Sequence, residues 1–524
     1  MMSHQPKQRR STYEVMDTTL RDGEQTEGVS ITSEEKMSIA RALLQRVKVD
    51  RIEIASARVS KGEHQTVSMI CDWAARNNLL ERVEVLGFVD HKASVDWAHT
   101  AGCRVINLLT KGSRKHCETQ LCKTPEQHIA DTRRTVAYGV DKGLRFNVYL
   151  EDWSHGMLES LDYVHQILDA FVELPFLRIM LPDTLGIFEP RQVGRFISHL
   201  IERYPGVWFD FHAHNDYGLA TADSIEALRH GARAVHVTTN GLGERAGNAP
   251  LDEVVVAAKD FLNMRCRVSE KRLMEVSHLI EVFTGKRLAW NKPITGDNVF
   301  TQTAGIHADG DRKGQLYQAR LTPGRFGRDR TYAMGKLMGK ASLDFNLKKL
   351  NIDLDKDQKK LVLEKLVALA DAKKVVTTED LPFIISDVLE APETRVFEIK
   401  DFMISTNRGL QPVASLLVRF GDQQYQATAS GDGGYDAFMK ALRSLEKQLN
   451  FRIPTLLDYT VRIPPGGKTD ALVETTITWE GGVKTRGVNP DQLVAALEAT
   501  SHAINIMAQR GEPAKPKHKT SAKT

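Results

Sequence analysis

Val207-Trp208-Phe209-Asp210-Phe211-His212-Ala213-His214-Asn215-Asp216 begins as an apolar run and ends in imidazole, amide and carboxylate. A short apolar run bounded by turn residues reads as a strand buried on both faces, and its polar end as the point where it emerges. The same pattern recurs upstream and downstream. Further candidate strands are Tyr13–Asp17, Arg51–Ser56, Arg82–Val89, Val105–Thr110, Arg145–Asp152, Phe176–Thr184 and Ala234–Gly241, with the quoted strand taken as Val207–Asn215. Amphipathic stretches lie between them, among them Ser33–Val47, Gln65–Arg76, Glu126–Lys142 and Glu189–Tyr204. Ser33 with Glu34, Glu35 and Lys36 behind it, and Thr124-Pro125-Glu126, are helix-start signals. Eight strand-then-helix units predict a (β/α)8 TIM barrel over residues 1–285. A doubly wound sheet would want a Gly-rich first turn. Here that turn is Asp17-Thr18-Thr19-Leu20-Arg21-Asp22.

Outside the barrel the pattern changes. Residues 286–328 are rich in Gly and Pro and read as an irregular linker subdomain, and 329–393 as a helical one. Residues 394–510 read as a duplicated α+β regulatory domain, each half offering strands and then one helix. The first half runs Phe397–Ile399, Ala414–Phe420, Gln424–Ser430 and helix Tyr435–Leu449; the second runs Leu457–Ile463, Ala471–Trp479, Lys484–Val488 and helix Pro490–Ile506. Residues 511–524, with Lys515, Lys517, Lys519 and Lys523 beside Pro513 and Pro516, read as a disordered basic tail.

The 524 residues hold 71 Lys plus Arg and 67 Asp plus Glu, a net charge of +4. So small a difference gives no support for a nucleic-acid partner. Five cysteines (Cys71, Cys103, Cys117, Cys122, Cys266) are too few for a disulfide framework. No apolar stretch follows the polar N-terminus, and no run is long enough for a membrane span. A cytoplasmic protein without membrane partners is expected.

Chemistry in such barrels sits at the C-terminal ends of the strands. The polar clusters fall there: Asp17 to Gln25, Glu151-Asp152, Pro182-Asp183-Thr184, His212 to Asp216, and Asn240 onward. On a strand, residues two apart share a face. His212 and His214 therefore face the mouth together with Asp210, while Phe209 and Phe211 turn toward the helices. Asp22 adds a carboxylate after the first strand, and Asn248 in Gly247-Asn248-Ala249-Pro250 an amide oxygen after the eighth. Barrel closure makes the first, seventh and eighth strands neighbours. Asp22, His212, His214 and Asn248 can then converge as ligands of a divalent ion such as Mg, Mn, Co or Zn. Such an ion can polarise a bound carbonyl as a Lewis acid, and Arg21 beside Asp22 can stabilise negative charge developing there. Lys111, Arg114 and Lys115 read as a solvated basic loop rather than a phosphate site.

Three motifs carry a family resemblance: Asp17-Thr-Thr-Leu-Arg-Asp-Gly-Glu-Gln25, His212-Ala-His-Asn-Asp-Tyr-Gly-Leu-Ala220 and Asn240-Gly-Leu-Gly-Glu-Arg-Ala-Gly-Asn248. They resemble the signatures of the 2-isopropylmalate, homocitrate and citramalate synthases. Gly305-Ile-His307-Ala-Asp309-Gly310 resembles that family's linker motif, and the duplicated C-terminus its amino-acid-sensing domain. The resemblance implies a Claisen-type condensation. Acetyl-CoA is enolised, its methyl carbon attacks the keto carbon of a 2-oxo acid, and the thioester is hydrolysed. By the same resemblance Glu151 joins the proton transfers, with His307 and Tyr317 reaching over from the linker of a partner subunit in a homodimer. The resemblance further implies that Thr184 holds the substrate carboxylate and that Asp309, Gln315 and Leu316 contact CoA. Leu456, Tyr459, Ile463, Val473 and Pro490 match the effector pocket, for isoleucine or leucine.

The 2-oxo acid is read from Leu86, Leu109 and Tyr149, at strand ends near the metal. Leu, Leu and Tyr stand at these places in the citramalate synthases that the chain resembles. Burying two extra methylenes would contribute about 1.6 kcal/mol. Overpacking costs about 1–3 kcal/mol and cancels it. Pyruvate, giving (R)-citramalate, is therefore expected over 2-oxoisovalerate, the substrate of 2-isopropylmalate synthase. Related biotin-dependent carboxyltransferases need a lysine at the end of strand six, where Met180-Leu-Pro-Asp-Thr184 stands. The cysteine loop of the related lyases is replaced by Gly247-Asn248-Ala249.

Overall fold

The computed structural model describes residues 12–509 except 318, 336, 351, 372–380, 382–383, 386–395, 408, 463–472 and 481–482. Ile463, much of 372–395 and the basic tail fall outside the described residues. Strands β1 (Glu14–Asp17), β2 (Arg51–Ser56), β3 (Val83–Phe88), β4 (Val105–Lys111), β5 (Arg145–Glu151), β6 (Phe176–Asp183), β7 (Phe209–Ala213) and β8 (Ala234–Val237) close into one parallel barrel in sequence order. The β1–β8 seam pairs Glu14 with Ala234 and Asp17 with Val237. The predicted strands differ from these by a few residues at their ends. β8 stops early because the chain bends into a tight turn at Thr239–Gly241, with Asn240 left-handed.

Local signals explain the first helices. Thr32 caps Ser33–Arg41, and the Glu35 side chain returns a bond to the Thr32 N–H. Thr124 and Gln127 do the same for Pro125–Asp141, with proline in its first turn. Outward-facing strand residues such as Val15, Ile52, Ile54, Phe146, Val148, Leu150, Phe209 and Phe211 pack against the helices in one continuous core. The inward-facing residues differ in kind. Arg51 is ion-paired to Glu84 and Asp210, and His236 faces Asp210, all buried. A charge in that position persists only when paired and hydrogen-bonded. Asp210 does share the parity of His212 and His214, yet it serves this lower layer.

The chain divides into two compact units, one of Met1–Thr301 with Gln318–Thr331, the other of Gln302–Tyr317 with Tyr332–Thr524. The stretch expected to be irregular, 286–328, is thus shared between them, and Gly305–Gly314 within it is a helix. Gly305, Gly310 and Gly314 lower helix propensity there, which is why the sequence reads as loop. The second unit also holds helices Lys340–Lys349 and Lys356–Asp371, with Leu343, Leu347, Val362 and Leu366 between them. Its C-terminal part is the predicted duplication. Phe397–Ser405, Val413–Phe420 and Gln423–Ser430 form one antiparallel sheet, and Leu456–Arg462, Val473–Trp479 and Lys484–Asn489 another. Helix Gly434–Ser444 follows the first sheet and Gln492–Gln509 the second. Side chains of both halves share one apolar core. Asn505 of the last helix bonds the backbone N–H and carbonyl of Phe397, sewing the halves together. Among the described residues no helix is long and apolar enough to cross a membrane.

Candidate active site at the barrel mouth

The turn after β1 is fastened to β8: the Thr18 N–H donates to the Val237 carbonyl, and the Thr239 N–H to the Thr19 hydroxyl. That turn points Asp22 inward, beside the end of β7. Asp22 Oδ2 lies 3.4 Å from His212 Nε2 and 3.9 Å from His214 Nε2. Asn248 arrives from the loop after β8. Its Nδ2 donates to Asp22 Oδ1 at 3.1 Å and to the Leu242 carbonyl at 3.0 Å, which leaves Oδ1 buried without a partner. An amide whose nitrogen is already committed presents its oxygen as a ligand. Gly243 and Gly247 make this loop possible. At Gly247, with φ of +85°, a Cβ would stand 1.9 Å from the Gly241 carbonyl oxygen; at Gly243, 2.1 Å from Asn248 Nδ2.

Electrostatics suit a cation here. Burial by itself would raise the Asp22 carboxyl, but Arg21, His212, His214 and Asn248 outweigh it and hold it well below the usual carboxylate range. Burial pushes both imidazoles downward, against the opposing pull of Asp22, so both are neutral and able to ligate near neutral pH. One carboxylate, two neutral imidazoles and an orphan amide oxygen are a donor set for a divalent ion. Asp22, His212 and His214 are the one group of three or more such side chains among the described residues whose ligand atoms lie within 4.8 Å of one another.

Arg21 is fixed from two sides. Its Nη1 donates to Asp22 Oδ2 at 2.9 Å and its Nε to Glu53 Oε2 at 2.6 Å. Glu53, fully buried, also accepts from the Thr18 hydroxyl at 2.9 Å and from Asn107 Nδ2 at 2.7 Å. Sequence reasoning missed Glu53. Leu86, Leu109 and Tyr149 do meet, joined by Met16 and Met180 in an apolar cluster inside the barrel. The Tyr149 hydroxyl lies 3.1 Å from His236 Nδ1, and its ring is 6.2 Å from that of His212. Thr184 Oγ1 accepts from the Asp152 N–H at 2.9 Å.

Glu151 closes β5 on the inward face, and its partner corrects an expectation. Lys111 is not in a solvated loop; it is the last residue of β4, buried, and ion-paired to Glu151. Arg114 is likewise committed, to Asp162 and Glu118. His307 and Tyr317 lie in the second unit, their rings 4.2 Å apart. Asp309 pairs with Lys313 on the same helix, Gln315 ends that helix in a left-handed conformation, and Leu316 is exposed. In the C-terminal module Leu456 and Tyr459 pack against the shared core, Val473 is buried at a strand start, and Pro490 is exposed.

Comparison with known proteins agrees with this geometry. Residues 12–280 match the HMGL-like family, 294–374 the homocitrate synthase post-HMGL domain-like family, and 375–508 the LeuA allosteric (dimerisation) domain. The chain is 36% identical over 504 residues to a putative (R)-citramalate synthase of Methanopyrus kandleri, covering 95% of this chain and 96% of that one. It is 34% identical over 496 residues to a putative (R)-citramalate synthase of Methanothermobacter thermautotrophicus, covering 94% and 97%. It is 33% identical over 507 residues to a 2-isopropylmalate synthase of Methanocaldococcus jannaschii, covering 95% of each. With the barrel, a candidate set of metal ligands and these relatives together, the chain is an acyltransferase of the HMGL-like family, and belongs with the citramalate and 2-isopropylmalate synthases that condense acetyl-CoA with a 2-oxo acid.

Proposed function

We propose that the 2-oxo acid is pyruvate and the product (R)-citramalate, made by a cytoplasmic homodimer under feedback from isoleucine or leucine. The apolar cluster of Leu86, Leu109, Tyr149, Met16 and Met180 carries this reading. Its side chains crowd the barrel interior beside His212, so a methyl group suits the space better than an isopropyl group.

Asp22, His212, His214 and Asn248 would hold the divalent ion, which when bound polarises the keto carbonyl of a chelated substrate. Thr184 uses its lone pair on the Asp152 N–H, so its own proton can donate to the substrate carboxylate. Arg21, held by Glu53, is placed to stabilise negative charge developing on the keto oxygen as the new C–C bond forms. Tyr149, tethered to His236, walls the methyl side. Glu151, held by Lys111, takes part in moving the acetyl-CoA methyl proton, with His307 and Tyr317 supplied by the partner subunit. CoA would meet Asp309, Gln315 and Leu316. Leu456, Tyr459, Ile463, Val473 and Pro490 would bind the effector.

Thiol release from acetyl-CoA, followed with pyruvate, 2-oxoisovalerate and 2-oxoglutarate, should rank pyruvate first by kcat/KM. A preference of about tenfold or more for 2-oxoisovalerate would overturn the pocket argument and make the enzyme a 2-isopropylmalate synthase. Isoleucine and leucine are added to the same assay. Regulation is dropped if neither inhibits.

A further inference from the structure

We propose that Arg245 is a positioning residue that locks three active-site loops into one frame. It sits in the loop after β8, three positions before Asn248, in a left-handed conformation with φ of +54°. Its Nε donates to Asp216 Oδ1 at 2.8 Å and its Nη2 to Asp216 Oδ2 at 2.9 Å, a two-point grip on a carboxylate. The same Nη2 donates to the Thr184 carbonyl at 2.8 Å. One guanidinium thus joins the ends of β6, β7 and β8. Those ends carry Thr184, His214 and Asn248.

The backbone around it already leans on this arrangement. Asn215 N–H donates to the Gly247 carbonyl at 2.9 Å, and Gly247 N–H to the Glu244 carbonyl at 2.8 Å. Arg245 stands at the corner of that Glu244–Gly247 turn. Its side chain is 37% exposed and that of Asp216 24%, so the pair adds little to global stability. Its effect is geometric: backbone bonds already join the segments bearing His214 and Asn248, and Arg245 braces that junction and ties it to the segment bearing Thr184. A lysine keeps the charge but loses the planar fork, and with it the simultaneous hold on Asp216 and Thr184.

This role rests on the reading of Asp22, His212, His214 and Asn248 as a metal centre. The test measures Mn2+ affinity of the full-length apo enzyme by chelator competition, alongside steady-state rates and thermal melting. Arg245→Ala and Asp216→Ala should each weaken Mn2+ binding about tenfold. Each should lower kcat about 10- to 100-fold, with melting temperatures within about 2 °C of the parent. The double variant should be no worse than either single one, because both break the same clamp. Arg245→Lys should fall on the side of the alanine variants. The clamp is wrong if the two losses multiply, or if Arg245→Ala changes only KM for acetyl-CoA with Mn2+ affinity intact. A parent enzyme that binds no ion would sink the metal reading along with it.

Discussion

Asp22→Asn will cost the enzyme about 10³-fold or more in kcat/KM, roughly 4 kcal/mol of transition-state stabilisation. The carboxylate is the single anionic member of the proposed ligand set, and it faces both imidazoles and Arg21. Asparagine preserves shape and can still accept from Asn248, so the fold survives. What disappears is the charge that draws a divalent ion to neutral imidazoles. Calorimetric titration with Mn2+ should therefore show the parent saturating at one ion per chain and the variant failing to bind. Chelator treatment of the parent should reproduce the kinetic loss, and added Mn2+ should restore the parent but not the variant. If the variant keeps parent-like turnover in the presence of chelator, the ligand assignment fails.

Glu53→Gln should produce the second large loss, about 10²-fold in kcat with a smaller change in KM for the 2-oxo acid. Glu53 receives three donors, from Thr18, Arg21 and Asn107. A glutamine turns one acceptor oxygen into a donor NH2, so one of those donors meets another donor in a buried site. Removing one partner of a buried ion pair costs about 3–5 kcal/mol. Here Arg21 retains Asp22, so about 2–3 kcal/mol of stability is expected to go. Denaturant unfolding measures that part. Arg21 released from Glu53 can rotate away from the reacting oxygen, which lowers turnover. Unchanged kcat in a destabilised protein would mean that Glu53 supports the barrel and not the chemistry.

Some of this site was legible in the sequence and some was not, for definite reasons. The barrel could be read because parallel strands covered on both faces leave nearly continuous apolar runs, as in Val105-Ile-Asn-Leu-Leu109 and Phe146-Asn-Val-Tyr-Leu150, each broken by one asparagine that bonds its counterpart inside the barrel. His212 and His214 could be read because alternation along a strand puts them on one face. Glu53 was hidden inside Arg51-Ile-Glu-Ile-Ala-Ser56, where a lone acid resembles an interruption. Its parity with Arg51, also charged and also inward, was the available signal. Lys111 was lost through a single residue of register: with β4 ending at Thr110 it falls in a loop, whereas β4 in fact continues to Lys111 and turns that side chain into the mouth. Arg245 lies inside a quoted motif, but its partners could not be read there, since they are 29 and 61 positions away and only the side-by-side pairing of β6, β7 and β8 brings them near.

The joint core of the C-terminal module makes its two halves depend on each other. Phe438, Leu442 and Leu445 of one half bury themselves against the same interior as Trp479, Ile504 and Met507 of the other. A polypeptide carrying a single half would offer that greasy surface to water. Neither half can therefore be excised and expected to fold alone.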